Sequence, residues 1–312
     1  MAEFNKSEII HSSRIYHKFT RAAASEGICD ELTLLRYEKG HLSVSPKNFH
    51  DIMERMGEPG ETIILPYTQD DVHIINLQNQ ILNALQRCNY AECEDYTNQL
   101  LAYQNFNTSI IENKQYLERI QLTIQYMKKE LTPEEYIVQL INILQYTFKD
   151  FNNANFPPHK IFTETELSIL NNIATTYIKL DRTSLALSLF ERLFKYCKSI
   201  SNHELSKPLY SILINYSSLL ISAEFYQKCI DVSLFGINWL KHRDYQNLLY
   251  SLYFNLGRSL IKVGRELNDN TLEIKGKIYV DQSSILCSFF PEATKNKIQI
   301  KKFIANNYND FT

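Results

Sequence analysis

The sequence predicts an all-α protein in two parts, a small bundle of short helices followed by a long stack of helical hairpins. Three observations point there. Glycine and proline number only 8 each in 312 residues, and a sandwich, barrel or meander of many tight turns needs both. Apolar residues recur at spacings of three and four along most of the chain, the period of a helix with one buried face. Small residues recur at matching places in consecutive segments beyond residue 170, and such internal self-similarity marks a repeat architecture.

Hydrophobic residues make up 44% and charged residues 22%, ordinary globular proportions that exclude wholesale disorder. No GxGxxG, GxxxxGK[ST], HExxH or CxxC pattern occurs, so no cofactor, metal or enzymatic activity is expected. Cys88 and Cys93 lie close together without a second pair and read as packed thiols rather than metal ligands. All six cysteines are thinly spread and read as reduced core residues of a cytoplasmic protein. His11 and His17 fall on different helix faces. The start of the chain lacks the basic, apolar and small-residue parts of a signal peptide. The longest uncharged stretches, such as Pro208 to Ala223, are broken by Ser, Asn and Tyr, so no membrane span is expected.

Texture, not charge, divides the chain. Residues 1–60 hold 8 Lys+Arg against 9 Asp+Glu, much the same balance as the remainder. Gly57, Pro59, Gly60 and Pro66 cluster as a linker, giving an N-terminal domain over 1–66 and a second over 67–312. In the first, Glu8 to Lys18 presents Ile9, Ile10 and Ile15, with Phe19 following, at mostly helical spacing. Thr20 can cap a short helix over Arg21 to Glu26, and Gly27 permits a tight turn. Asp30 can cap a third helix whose apolar positions are Leu32, Leu34, Leu35 and Tyr37, ended by Gly40. Ser45 before Pro46 is a strong helix start, and the fourth helix carries Phe49, Ile52, Met53 and Met56. Two short helices separated by a glycine turn make a helix-turn-helix pattern.

The segments EGICDELTLLRYEKG at 26–40 and VSPKNFHDIMERMG at 44–57 resemble the XRE-type helix-turn-helix family. Gly27, Ile28, Cys29, Arg36, Glu38 and Gly40 fall in its register, and so do Arg14 and Thr20 upstream. The resemblance implies that the third helix enters the major groove of double-stranded DNA, with Arg21, Glu31, Thr33, Arg36 and Lys39 as DNA-binding candidates. Arg21 stands where the family usually has Gln, and Ala24-Ser25 where it has Leu-Ala. Asp30 and Glu31 place two carboxylates at the front of the groove helix, against the phosphate field that dominates affinity.

In the second part, residues 171–196 align with 214–240. Ala174 matches Ser217 and Ala186 matches Cys229, and within each segment the two small residues are 12 apart. A third unit at 254–264 places Gly257 at the first small position, and after an insertion Gly276 takes the second. Residues 69–105 read as a worn copy, 107–148 as two helices split at Thr132-Pro133, and 292–310 as a capping helix. The pattern resembles a lengthened tetratricopeptide repeat, whose helical hairpins stack into a superhelix with a concave surface. By resemblance the first helix of each hairpin lines that surface. Asn172, Asn215 and Asn255 recur two places before the first small residue, where an amide can pair with the backbone of an extended peptide. Asn171, Ser218, Lys179, Arg258 and Lys262 complete the peptide-binding candidates, the cations suited to a carboxylate. The bland alternative is that such asparagines are merely solvated.

An XRE-like helix-turn-helix followed by a tetratricopeptide-like superhelix resembles the Rgg, PlcR and PrgX group of peptide-pheromone-responsive transcriptional regulators. The resemblance implies a cytoplasmic homodimer, a near-palindromic operator and a short signalling peptide that controls DNA binding or activation through the repeats. The alternative is a peptide-gated repeat protein that docks a protein partner without binding DNA.

Overall fold

A computed structural model describes residues 6–57, 69–149, 151, 160, 162–199, 207–240, 249–290 and 293–308. Fifteen α-helices and no strand occur among these residues. No helix among them is long and apolar enough to cross a membrane. The linker residues Pro59, Gly60 and Pro66 lie outside the described set.

Four short helices open the chain: α1 (Lys6–Tyr16), α2 (Arg21–Ser25), α3 (Glu31–Glu38) and α4 (Pro46–Arg55). Their starts follow the expected capping chemistry, in which a side-chain oxygen takes an otherwise orphaned amide. Thr20 accepts from the Ala23 amide at 3.1 Å, Asp30 from Thr33 at 2.8 Å and Ser45 from Asn48 at 3.1 Å. Gly27 has φ +77°, a left-handed turn that any side chain would strain. These helices close over a core of their own, built on Ile9, Ile10, Leu34, Tyr37, Phe49, Ile52, Met53 and Met56. Three expected core residues lie outside it, one of them, Leu35, half-buried. Ile15 and Leu32 are exposed, Leu32 by 55%. Leu34 and Tyr37, three apart, already point α3 inward, and Leu32 falls on the opposite side.

The remaining helices come as hairpins. α5 (Gln69–Gln86) packs on α6 (Tyr90–Ala102), and α7 (Ile111–Met127) on α8 (Pro133–Leu144). α8 begins where Thr132-Pro133 predicts, with a reciprocal capping box between Thr132 and Glu135. α9 (Glu164–Lys179) and α10 (Thr183–Ser199) follow. α11 (Lys207–Ser222) packs on α12 (Tyr226–Leu240), α13 (Leu249–Leu267) on α14 (Asn270–Ser288), and α15 (Thr294–Asn307) against α14.

The small residues sit at the close crossings. The Cys229 thiol donates to the Ser217 carbonyl at 3.3 Å. A Cβ on Gly257 would stand 2.6 Å from the Gly276 carbonyl oxygen, and one on Gly276 would stand 2.7 Å from that of Gly257. The insertion expected in the third unit is a lengthening of both helices. Gly257 and Gly276 are 19 residues apart where the other pairs are 12. One added turn of about 3.6 residues on each helix preserves the facing positions.

The chain separates into two compact units, residues 1–176 with 199–204, and residues 177–198 with 205–312.

Candidate DNA-binding and peptide-binding sites

Glu38 organises the N-terminal helices. Arg14, itself buried, donates to both Glu38 oxygens, through Nη2 at 3.2 Å and also through Nε, and reaches the Phe19 carbonyl at 3.0 Å. Arg21 Nε donates to Glu38 Oε2 at 2.8 Å. Burial by itself pushes the Glu38 carboxyl up, but the hydrogen bonds and charges of Arg14 and Arg21 outweigh it and hold it below its ordinary range. One carboxylate thus ties α1, α2 and α3 together. This is a structural use for Arg21, which the resemblance made a DNA-binding candidate. At the other end, Arg55 donates to the Ala23 carbonyl at 2.7 Å and contacts Glu26, holding α4 to α2.

The outer face of α3 consists of Glu31, Leu32, Arg36 and Lys39, all exposed, with Leu35 half-buried. Arg36 makes no ion pair among the described residues, so its five donors remain available to a phosphate or a guanine edge. Thr33 differs: its hydroxyl donates to Asp30 at 2.7 Å while its amide is capped by the same carboxylate. These bonds hold Asp30 below the usual carboxylate range. The threonine expected as a DNA-binding residue therefore serves first as part of the cap. Leu32, which sequence periodicity assigned to the core, instead offers an apolar contact of the kind a thymine methyl accepts.

The peptide candidates divide between the units. In the first unit Asn171 and Asn172 are half-buried on α9. Asn172 donates to the Tyr136 hydroxyl at 3.0 Å, and that hydroxyl also meets Thr123 Oγ1 at 3.0 Å. In the second unit Lys179, Ser218 and Lys262 are exposed and Asn215 half-buried. Asn255 is only 4% exposed. Its amide nitrogen donates to Ser217 Oγ at 2.9 Å and Ser218 Oγ at 3.1 Å. The open rung expected at Asn255 is instead a strut between α13 and α11, because a residue so near a close crossing reaches the preceding hairpin before it reaches solvent. Arg258 lies over the rings of Phe254 and Phe303, at 5.2 and 5.6 Å from their centroids. Burial lowers its pKa, and no carboxylate is among the groups that raise it. A half-buried guanidinium between aromatic faces, with no acidic partner among the described residues, is a ready carboxylate receptor.

No protein-family model matches the chain, and no curated protein matches it by sequence. Among solved structures, Bacillus thuringiensis PlcR in complex with the peptide PapR7 and DNA is similar at TM-score 0.58. Its identity is 18%, over 95% of this chain and 98% of that one. The apo form of PlcR gives 17% identity, the same coverage and TM-score 0.58. The chain has the PlcR fold.

Within the PlcR fold, sequence reasoning missed one polar site. Arg119 on α7 is 4% exposed, and its Nε has no hydrogen-bond partner. Its guanidinium stands 5.5 Å from the Tyr116 ring centroid, and burial lowers its pKa. One turn earlier Gln115 is fully buried. Its amide nitrogen donates to the Ile143 carbonyl and to Thr147 Oγ1, both at 2.9 Å, while its oxygen has no partner. The signal was present in YLERIQLTI at 116–124, where Arg119 interrupts the apolar face of a helix. An isolated arginine in such a run reads as solvated until its neighbours are known.

Proposed function

We propose that this protein is a cytoplasmic transcriptional regulator that acts as a homodimer. Its helix-turn-helix binds a near-palindromic operator in double-stranded DNA, and its helical repeats bind a short signalling peptide that sets DNA binding or activation. The observation that carries the reading is a helix-turn-helix of intact geometry joined to helical hairpins in the fold of PlcR, a protein whose structure is of a complex with the peptide PapR7 and DNA. A two-fold dimer sets the spacing of two α3 helices, and the operator mirrors it. Peptide shifts the equilibrium only as far as it prefers one arrangement of the repeats. In the second unit Arg258 takes a peptide carboxylate, with Asn215, Ser218, Lys262 and Lys179 as further polar contacts. Asn171 and Asn172 serve in the first. Asn255 holds Ser217 and Ser218 in place.

Duplex affinity tests the DNA half. Arg36→Ala weakens binding of the full chain to a promoter duplex by about 1–3 kcal/mol if the arginine reads a base. Glu31→Gln strengthens non-specific binding and changes its salt dependence, since a like charge leaves the phosphate field. Unchanged affinity in Arg36→Ala sinks the role of α3. Loss of specific binding in Glu31→Gln makes Glu31 a base reader instead.

A further inference from the structure

Helix α14 has two apolar faces. Gly276, Val280, Ser283 and Cys287 are buried within the second unit. On the opposite side Ile274, Ile278, Ile285 and Phe289 are 59%, 50%, 61% and 71% exposed. At 100° per residue these four form a single stripe facing away from the core. Together they leave roughly 500 Å² of apolar surface on one helix face, within the range of the largest and often functional patch of a monomer. Two such stripes pressed together bury about 1,000 Å² through these side chains alone, and the flanking residues bring the total into the range of specific interfaces.

Symmetry names the occupant. Ile274 and Phe289 are equidistant from the midpoint between Asp281 and Gln282, and so are Ile278 and Ile285. A two-fold axis through that midpoint lays the stripe antiparallel on its own copy, Ile274 against Phe289 of the partner subunit and Ile278 against Ile285 of the partner subunit. An isologous interface requires this self-complementarity, whereas an unrelated partner does not impose it. Near the axis, Gln282 can pair amide to amide with its mate, and the exposed Asp281 falls on the opposite edge of the stripe, toward solvent. We propose that the outer face of α14 is the two-fold interface through which two copies of this chain associate. It rests on the homodimeric reading above and supplies its contact.

Cross-linking tests the register. Cys88 is exposed, so the full chain carries Cys88→Ser as background. Gln282→Cys, beside the axis, forms a disulfide-linked dimer under mild oxidation. Lys275→Cys does not, because its two copies lie about 20 Å apart along the helix and a disulfide spans only about 7 Å between Cα atoms. Ile278→Glu keeps its helical circular dichroism, since the position is half exposed, and weakens the dimer at least tenfold by sedimentation equilibrium. Absent cross-linking at position 282, or equal cross-linking at 275, overturns the interface. A wild-type dimer that Ile278→Glu leaves intact overturns the stripe and leaves the dimeric reading standing. A monomeric wild type overturns both, while duplex affinity of the same protein reports separately on α3.

Discussion

Glu38→Gln loosens the N-terminal helices by about 3–5 kcal/mol, because removing one partner of a buried ion pair leaves the other charge uncompensated. Arg14 is that other charge, and among the described residues its remaining hydrogen bond goes to the neutral Phe19 carbonyl. A module of about 50 residues holds only a few kcal/mol in total, so the loss unfolds a sizeable fraction of it. Hydrogen exchange of the full chain measures this directly. Amides of α1 to α4 exchange about 10² to 10³ times faster in Glu38→Gln, while those of α13 and α14 are unchanged. Replacing Arg14 and Glu38 together by apolar residues recovers much of the protection. The same carboxylate makes the module sensitive to acid. Its folded-state pKa lies below its unfolded value, so its contribution is fully present above the ordinary glutamate pKa of about 4.3. That contribution is lost as pH falls through the lowered folded value. Unchanged protection in Glu38→Gln would show that α1, α2 and α3 are held by their apolar core alone.

Tyr216→Ala lowers the stability of the second unit by a similar amount, about 3–5 kcal/mol, the usual cost of deleting a buried aromatic side chain. Tyr216 is fully enclosed, with ring centroids 5.7 Å from Phe190 and 5.9 Å from Phe194. Its hydroxyl donates to Glu191 at 2.5 Å, and burial keeps that hydroxyl protonated by pushing its pKa up. Tyr216→Phe retains the ring and loses only the bond, about 1–2 kcal/mol for a charged acceptor that keeps Lys228 as a partner. The single tryptophan, Trp239, touches Phe235, which touches Phe194. Its fluorescence therefore follows this cluster, and urea midpoints of the two variants give the comparison. Equal midpoints for Tyr216→Ala and Tyr216→Phe would mean that the hydroxyl, not the ring, does the holding.

Capping residues and close-crossing residues were legible in the sequence because each is decided locally. Thr20, Asp30, Ser45 and Thr132 need only the next three residues to act, and Gly257 needs only the partner that the repeat alignment supplies. The inward face of α3 was legible in part. Periodicity names a helix, yet Leu32, Leu34 and Leu35 are all apolar, and the neighbouring helices choose which of them is buried. Asn255 was misplaced for the same reason: its repeat position was correct, but the Ser217 and Ser218 hydroxyls that engage it lie on another hairpin, 38 and 37 residues away. Glu38 matched the helix-turn-helix register, although its role depends on Arg14, 24 residues earlier. The outer stripe of α14 was invisible because the sequence shows which residues are apolar and not which are covered.

Selection from a pool of random duplexes by the full chain tests most directly whether this protein reads DNA through two α3 helices. Bound and recovered duplexes should converge on two inverted half-sites whose centres lie about one helical turn apart, 10–10.5 base pairs, or a multiple of it. Arg36→Ala should lose that convergence while keeping its fold. Recovery of unrelated sequences at the same yield for wild type and Arg36→Ala, with no inverted repeat, would contradict the claim and leave the helix-turn-helix as a docking module.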